Sequence, residues 1–269
     1  MFSGFMLNAW LAGSIVAIVA GVVGFFVVVR GTAFSAHALP LGAFPGAAAA
    51  RLLGVDEFFG LIAFAGLGVL GIAALGRRNR HDVATALSLV TLLGLGALFL
   101  SLTQQYSQEV YALLFGEVLG VSNAELLPVA VLGGMAIVLT LAFFRPLLLS
   151  AVSAELAEAE GISAAAMELL FLGILGFATA VTVPVVGALL VFSLMVGPAS
   201  AARSLTTRPG PAIALSVALA LVTAWASIAL SYVTDWPVGF FVGALGAAWY
   251  ALGRIVVRRV GEVRAPVVQ

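Results

Sequence analysis

Residues 5–29 read FMLNAWLAGSIVAIVAGVVGFFVVV, an uncharged run that stops at Arg30. Coiled as a helix rising about 1.5 Å per residue, this stretch outreaches a hydrocarbon core of roughly 30 Å. Its only nitrogen- or hydroxyl-bearing side chains are those of Asn8, Trp10 and Ser14. The run is apolar on every side, without the in-and-out alternation of a membrane barrel strand, so a transmembrane helix is the reading. Before it stand Met1, Phe2 and Ser3, with no basic region and no small-residue cleavage site, so the run is expected to stay in the mature chain.

Outward from that stretch the pattern repeats. Further apolar runs lie at about 33–53, 58–76, 83–103, 126–144, 164–183, 185–202, 211–233 and 238–256. The runs on either side of Pro184 have no polar loop between them, so they form two short helices or one long kinked one. The fold class is therefore an all-α polytopic membrane protein, a bundle of about eight or nine transmembrane helices forming one domain over residues 1–269. Composition agrees: 63% of residues are hydrophobic and 9% charged, against roughly 25% charged in a soluble domain. A lipid bilayer is the expected surrounding, and no nucleic-acid partner is expected.

Absent residues exclude some chemistry. The chain has no cysteine, which rules out disulfides and thiolate zinc sites. It also has no lysine, so no Gly-x-x-x-x-Gly-Lys-Ser/Thr phosphate loop exists and the chain cannot cradle ATP in that way. All 12 basic residues are arginines, and basic residues concentrate in cytoplasmic loops. With the first helix running outside to inside and nine spans, every arginine except Arg51 falls on the cytoplasmic side. Asp56, Glu57, Glu109, Glu117 and Asp235 then face outward.

Two segments break the regular pattern. Tyr111-Ala112-Leu113-Leu114-Phe115-Gly116-Glu117-Val118-Leu119-Gly120 is apolar but too short to cross, so a re-entrant or interfacial helix is expected there. Ser153-Ala154-Glu155-Leu156-Ala157-Glu158-Ala159-Glu160-Gly161 reads as a short helix with serine at its start, carboxylates in it and glycine at its end. From spacing alone it is either a solvated loop helix or a docking surface for a soluble partner.

These pieces resemble, in order along most of the chain, the permease subunits of the metal-type ABC importers, the zinc and manganese uptake family. The resembling segments are Phe25 to Arg30, Leu114 to Val121, Ser153 to Gly161 and, most specifically, Val186-Gly187-Ala188-Leu189-Leu190-Val191-Phe192-Ser193-Leu194-Met195-Val196-Gly197-Pro198-Ala199-Ser200-Ala201-Ala202-Arg203. The resemblance implies a homodimer of permeases in a bacterial cytoplasmic membrane. An ATP-binding subunit would sit below it and an extracytoplasmic metal-binding protein above. It further implies that Glu155, Leu156, Ala157, Glu158, Ala159, Glu160 and Gly161 form a cytoplasmic coupling helix. Transport of zinc or manganese would proceed by alternating access. No cofactor would belong to this chain, ATP being bound and hydrolysed by the partner.

His37 is the only histidine at membrane depth, and an ionisable group there marks a functional site by default. Neutral imidazole also ligates zinc and related ions, so His37 is the candidate metal ligand of the transport pathway. The alternative is a structural histidine bonded to a carbonyl near the boundary. The family carries an aspartate and a histidine one helical turn apart in this region. Here the partner position is Leu41 or Ala33, neither of which binds metal, and the fourth span carries no intramembrane carboxylate, histidine or asparagine. Glu117 is the second pathway candidate, either a ligand at the outer mouth or a charge that attracts cations through water. His81 and Asp82 are adjacent and face apart on a helix, so Asp82 is expected to cap the fourth helix. Glu168 and Arg203 either pair near the coupling helix and brace it or stand as interfacial residues without that pairing, and Tyr232 and Trp236 fit interfacial anchors. The rival functions are an ABC permease for another small solute, a secondary transporter or channel, and a membrane scaffold.

Overall fold

A computed structural model describes residues 4–75, 81–102 and 114–264, and among these every regular element is helical. Arg77, Arg78, Arg80, Glu109 and Tyr111 to Leu113 lie outside the described residues, as do the side chains of His81 and Asp82. The elements are α1 (Gly4–Arg30), α2 (Ala33–Leu53), α3 (Glu57–Leu75), α4 (His81–Ser101), a 3-10 turn (Val118–Gly120) and α5 (Asn123–Ala142). There follow α6 (Phe144–Val152), α7 (Ala154–Ala159), α8 (Ala164–Val186), α9 (Val191–Leu205), α10 (Pro209–Thr234) and α11 (Val238–Arg264).

Seven of these helices, α1, α3, α4, α5, α8, α10 and α11, are long and apolar enough to cross a membrane. α2 carries His37, Pro40, Pro45 and Arg51, which lower its hydropathy, and α9 has 15 residues, so neither is among the seven. The burial of each helix separates centre from rim. The apolar windows of α1 and α8 are each 72% buried, whereas those of α3, α4, α5, α10 and α11 are buried by only 22–33% and turn large apolar side chains such as Leu70, Val90 and Val138 outward. In lipid that outward surface is already solvated, so the bundle is held by close packing rather than by exclusion of water.

α1 is the axis. It packs against α5, α8, α9 and α10. A Cβ on Gly24 would lie 2.1 Å from the Met195 carbonyl oxygen of α9, and one on Gly21 would lie 2.5 Å from Val217 Cα of α10, so glycine permits both approaches. The Ser216 hydroxyl donates to the Gly21 carbonyl at 2.8 Å, and Trp225 Nε1 donates to Ser14 Oγ at 2.9 Å. A second body is formed by α2, α3 and α4, where Gly46 and Gly60 face each other at backbone distance. α9 and α11 make a third pair, with Gly197 set against Gly246.

The helices that meet near Pro184 are two. α8 runs through Pro184 to Val186, and the chain turns over Gly187 to Leu190 before α9 begins. Phe171 of α8 packs near Phe26 while Met195 of α9 lies on Gly24, so α8 ascends along α1 and α9 descends along it. Of the re-entrant or interfacial helix expected over Tyr111 to Gly120, the described residues from Leu114 on depart from one continuous helix. Leu114 and Phe115 are helical, Gly116 and Glu117 are not, and Val118 to Gly120 form one 3-10 turn. The reason is that this segment gives its backbone groups to another part of the chain.

Candidate functional site

At the Gly4 end of the bundle, two non-helical segments bind main chain to main chain. α8 ends at Val186, which leaves the Pro184 carbonyl without an intrahelical donor. The Glu117 N–H fills that role at 3.3 Å, and the Leu189 N–H donates to the Leu114 carbonyl at 3.1 Å. Gly116 and Gly187 make the approach possible. Their φ values are 75° and 91°, in the region that glycine favours. A Cβ on Gly116 would lie 2.4 Å from the Val186 carbonyl carbon, and one on Gly187 would lie 2.3 Å from that of Phe115.

Beside this junction opens a cavity of about 340 Å³, lined by Gly13, Glu117, Asp235, Trp236 and several apolar groups of α8 to α11. A smaller cavity of about 70 Å³ lies next to it, lined in part by Arg51, Glu57, Glu117 and Glu125. Two of these carboxylates are engaged: Glu57 is in contact with Arg51, and Glu125 accepts from the Ser122 N–H at 2.7 Å at the start of α5. Glu117 is exposed and faces both cavities. Asp235, which ends α10 at φ 57°, was not singled out from sequence as a pathway residue.

His37 lies elsewhere. It sits one turn into α2, half-buried, with its ring edge-on to Phe192 of α9 at 5.4 Å between centroids. Its Nδ1 is buried and makes no hydrogen bond, so the carbonyl bond of a purely structural histidine is missing at that nitrogen. Ala33 and Leu41, one turn to either side, pack against the core. The two pathway candidates are therefore not brought together, since Glu117 lines both cavities and His37 lines neither. Among the described residues no group of three or more histidine, aspartate or glutamate side chains is placed to hold a metal ion.

The opposite end of the bundle carries α7. Ser153 ends α6 and starts α7: its N–H donates to the Leu149 carbonyl at 3.0 Å, and its Oγ accepts from the Leu156 N–H at 3.1 Å. Gly161, at φ 77°, turns the chain away, and the Ile162 N–H returns to the Ala157 carbonyl at 2.8 Å. Within α7 only Ala157 is buried; Glu155, Leu156, Glu158 and Ala159 are exposed, as are Glu160 and Gly161 just beyond. The Glu155 carboxyl is held below its ordinary range, first by a backbone N–H at the helix start and then by the Ser153 hydroxyl. The short capped helix expected from the sequence is thus present.

Arg30, the last residue of α1, reaches toward this region. Its Nη1 donates to the Leu147 carbonyl at 3.1 Å and to Ser150 Oγ at 2.9 Å, both on α6. Its guanidinium lies 5.2 Å from the centre of the Phe171 ring on α8. From sequence Arg30 is visible only as a topology marker, because its partners are more than a hundred positions away. Arg203 donates to the Thr207 carbonyl at 3.4 Å, while the charge of Glu168 acts on Arg30. Tyr232 and Trp236 are exposed at or beside the end of α10, as interfacial anchors are, whereas Trp249 Nε1 donates to Thr223 Oγ1 at 2.9 Å and ties α11 to α10.

A solved structure is similar in fold, and known transport proteins are similar in sequence. The structure superposes on a chain of PsaBC from Streptococcus pneumoniae, determined in complex with a Fab, with a TM-score of 0.88 at 23% identity, covering 98% of this chain and 96% of that one. The manganese transport system membrane protein MntC of Listeria innocua is 28% identical over 255 residues, 94% of this chain and 88% of that protein. The high-affinity zinc uptake system membrane protein ZnuB of Haemophilus influenzae is 25% identical over 238 residues, 87% of this chain and 90% of that protein. Residues 3–256 match the family described as the ABC 3 transport family, and this multi-pass membrane chain belongs to it.

Proposed function

We propose that this chain is the membrane permease of an ATP-driven importer that carries a divalent transition metal, manganese or zinc, into a bacterial cell. The observation that carries the reading is α7, an exposed acidic helix fixed between α6 and α8 at the arginine-bearing end of the bundle. It is what a permease needs to receive force from a soluble ATPase, and the family and its relatives fit that role. ATP is bound and hydrolysed on the partner subunit, and a metal-binding protein delivers cargo at the Glu117 and Asp235 mouth. Two copies of the chain form the path.

In this reading α2 and α9 also cross the membrane, which makes nine spans, puts Gly4 outside and gathers Arg30, Arg145, Arg203 and Arg208 in the cytoplasm. Residues 1–269 form one permease domain. Closure of the ATPases pushes Glu155 to Gly161, and helix rearrangement opens the path first to one side and then to the other. His37 touches cargo near the inner end. Because the described residues offer no multidentate metal cage, the path lets a released ion pass and leaves discrimination to the delivering protein. The same observation favours, as a second reading, a small solute other than a metal.

The test is uptake of radioactive manganese and zinc by cells that express the chain with its neighbouring ATPase and binding protein. Loss of uptake in both His37→Ala and Glu158→Arg, with folded protein still in the membrane, supports the path and the docking helix. If the intact chain moves neither metal, the cargo is wrong. Uptake by a chain that binds no ATPase would leave a secondary transporter or channel.

A further inference from the structure

The link between α7 and the core runs through few groups. α6 is short and amphipathic, and one residue, Ser153, joins it to α7. On its inner face Phe144 meets Phe26 edge-on at 5.8 Å, and Leu147 is fully buried. Those contacts are apolar and tolerate sliding. The directional contacts from α1 to α6 come from Arg30, which donates to Leu147 and Ser150, while Ser150 Oγ itself donates to the Leu147 carbonyl at 3.1 Å. The flat guanidinium also lies over Phe171, so the same side chain touches α6 and α8, the two helices that flank α7. From there α1 runs straight to the contact of Gly24 with Met195 on α9.

We infer that Arg30 is a positioning residue for transport: a three-way latch that keeps α6, α8 and α1 moving as one body, so that displacement of α7 reaches the path along α1. This rests on the proposed coupling role of α7. A guanidinium suits the task better than an ammonium would, because one planar group can donate from Nη1 to two acceptors on α6 while its face stays on a ring of α8.

The experiment uses the full complex with its ATPase, purified and reconstituted in liposomes, and compares intact chain with Arg30→Lys, Arg30→Ala and Ser150→Ala. Two quantities are read on the same vesicles: ATP hydrolysed and radioactive manganese imported. In Arg30→Ala, hydrolysis is expected to continue while ions moved per ATP fall on the order of ten-fold, the scale set by loss of a charge-assisted hydrogen bond. Arg30→Lys falls nearly as far, since an ammonium bonded to α6 has no planar face to lie on Phe171, and Ser150→Ala falls less. An unchanged ratio of ions to ATP in Arg30→Ala overturns the latch. A parallel drop of hydrolysis and import, with assembly intact, also overturns it. If the intact complex neither hydrolyses ATP nor imports the ion, the proposed function fails and not this inference alone.

Discussion

The two ends of the bundle are fastened by different means. At the Gly4 end, near Gly13, the neighbouring junction is made of main chain: Glu117 to Pro184 and Leu189 to Leu114, with Gly116 and Gly187 at its centre. At the Arg30 end the fastening is made of side chains, a guanidinium, a hydroxyl and four phenylalanines, Phe25, Phe26, Phe144 and Phe171. A main-chain junction has little freedom to adjust, because any added atom meets another backbone. A side-chain junction can be weakened by degrees, since rotamers shift and partial contacts survive. The first arrangement suits a fixed reference point and the second suits a part that must move and return.

Substitution should separate the two. Gly187→Ala forces a Cβ to within 2.3 Å of the Phe115 carbonyl carbon at a φ of 91°, and the expected loss is roughly 3 kcal/mol or more. Yield and melting of the detergent-solubilised protein measure it; a variant that melts like the intact chain would show the junction to be pliable. Ser153→Ala removes the cap of α7 and is expected to cost about 1 kcal/mol, confined to that helix. Faster hydrogen exchange over Ala154 to Ala159, with little change in overall melting, would fit the softer end. Glu155 gives the smallest effect. Its folded carboxyl titrates below the ordinary value, so the stability it lends is complete at neutral pH and is lost only as pH falls through that lowered value. Glu155→Gln should therefore change melting slightly at pH 7 and not at all in strong acid, which paired melts at the two pH values would test.

Legibility from sequence divides in the same way. Apolar runs announce spans, and Ser153 with Gly161 announces a short helix, because those signals are local. Arg30 was legible only as a charge, since its acceptors lie on α6 and nothing nearby in sequence points to them. The Gly116 junction was harder still. Backbone pairing leaves no side-chain pattern, and two glycines in a chain with 30 do not stand out. His37 was found because an ionisable group in an apolar run is conspicuous, but its neighbour Phe192 and its separation from Glu117 belong to the packing of α2 on α9.

Ser153 carries a consequence of a different kind. Because α6 and α7 share that one residue, the direction in which Glu155 and Glu158 point is set by counting along the chain. One residue more or less between Ser153 and Glu155 would swing the acidic side by about 100°, as the helical repeat dictates. Letters in this stretch can be exchanged at modest cost, but its spelling cannot be lengthened or shortened. Among related chains, α7 should therefore vary in composition while keeping its register with α6.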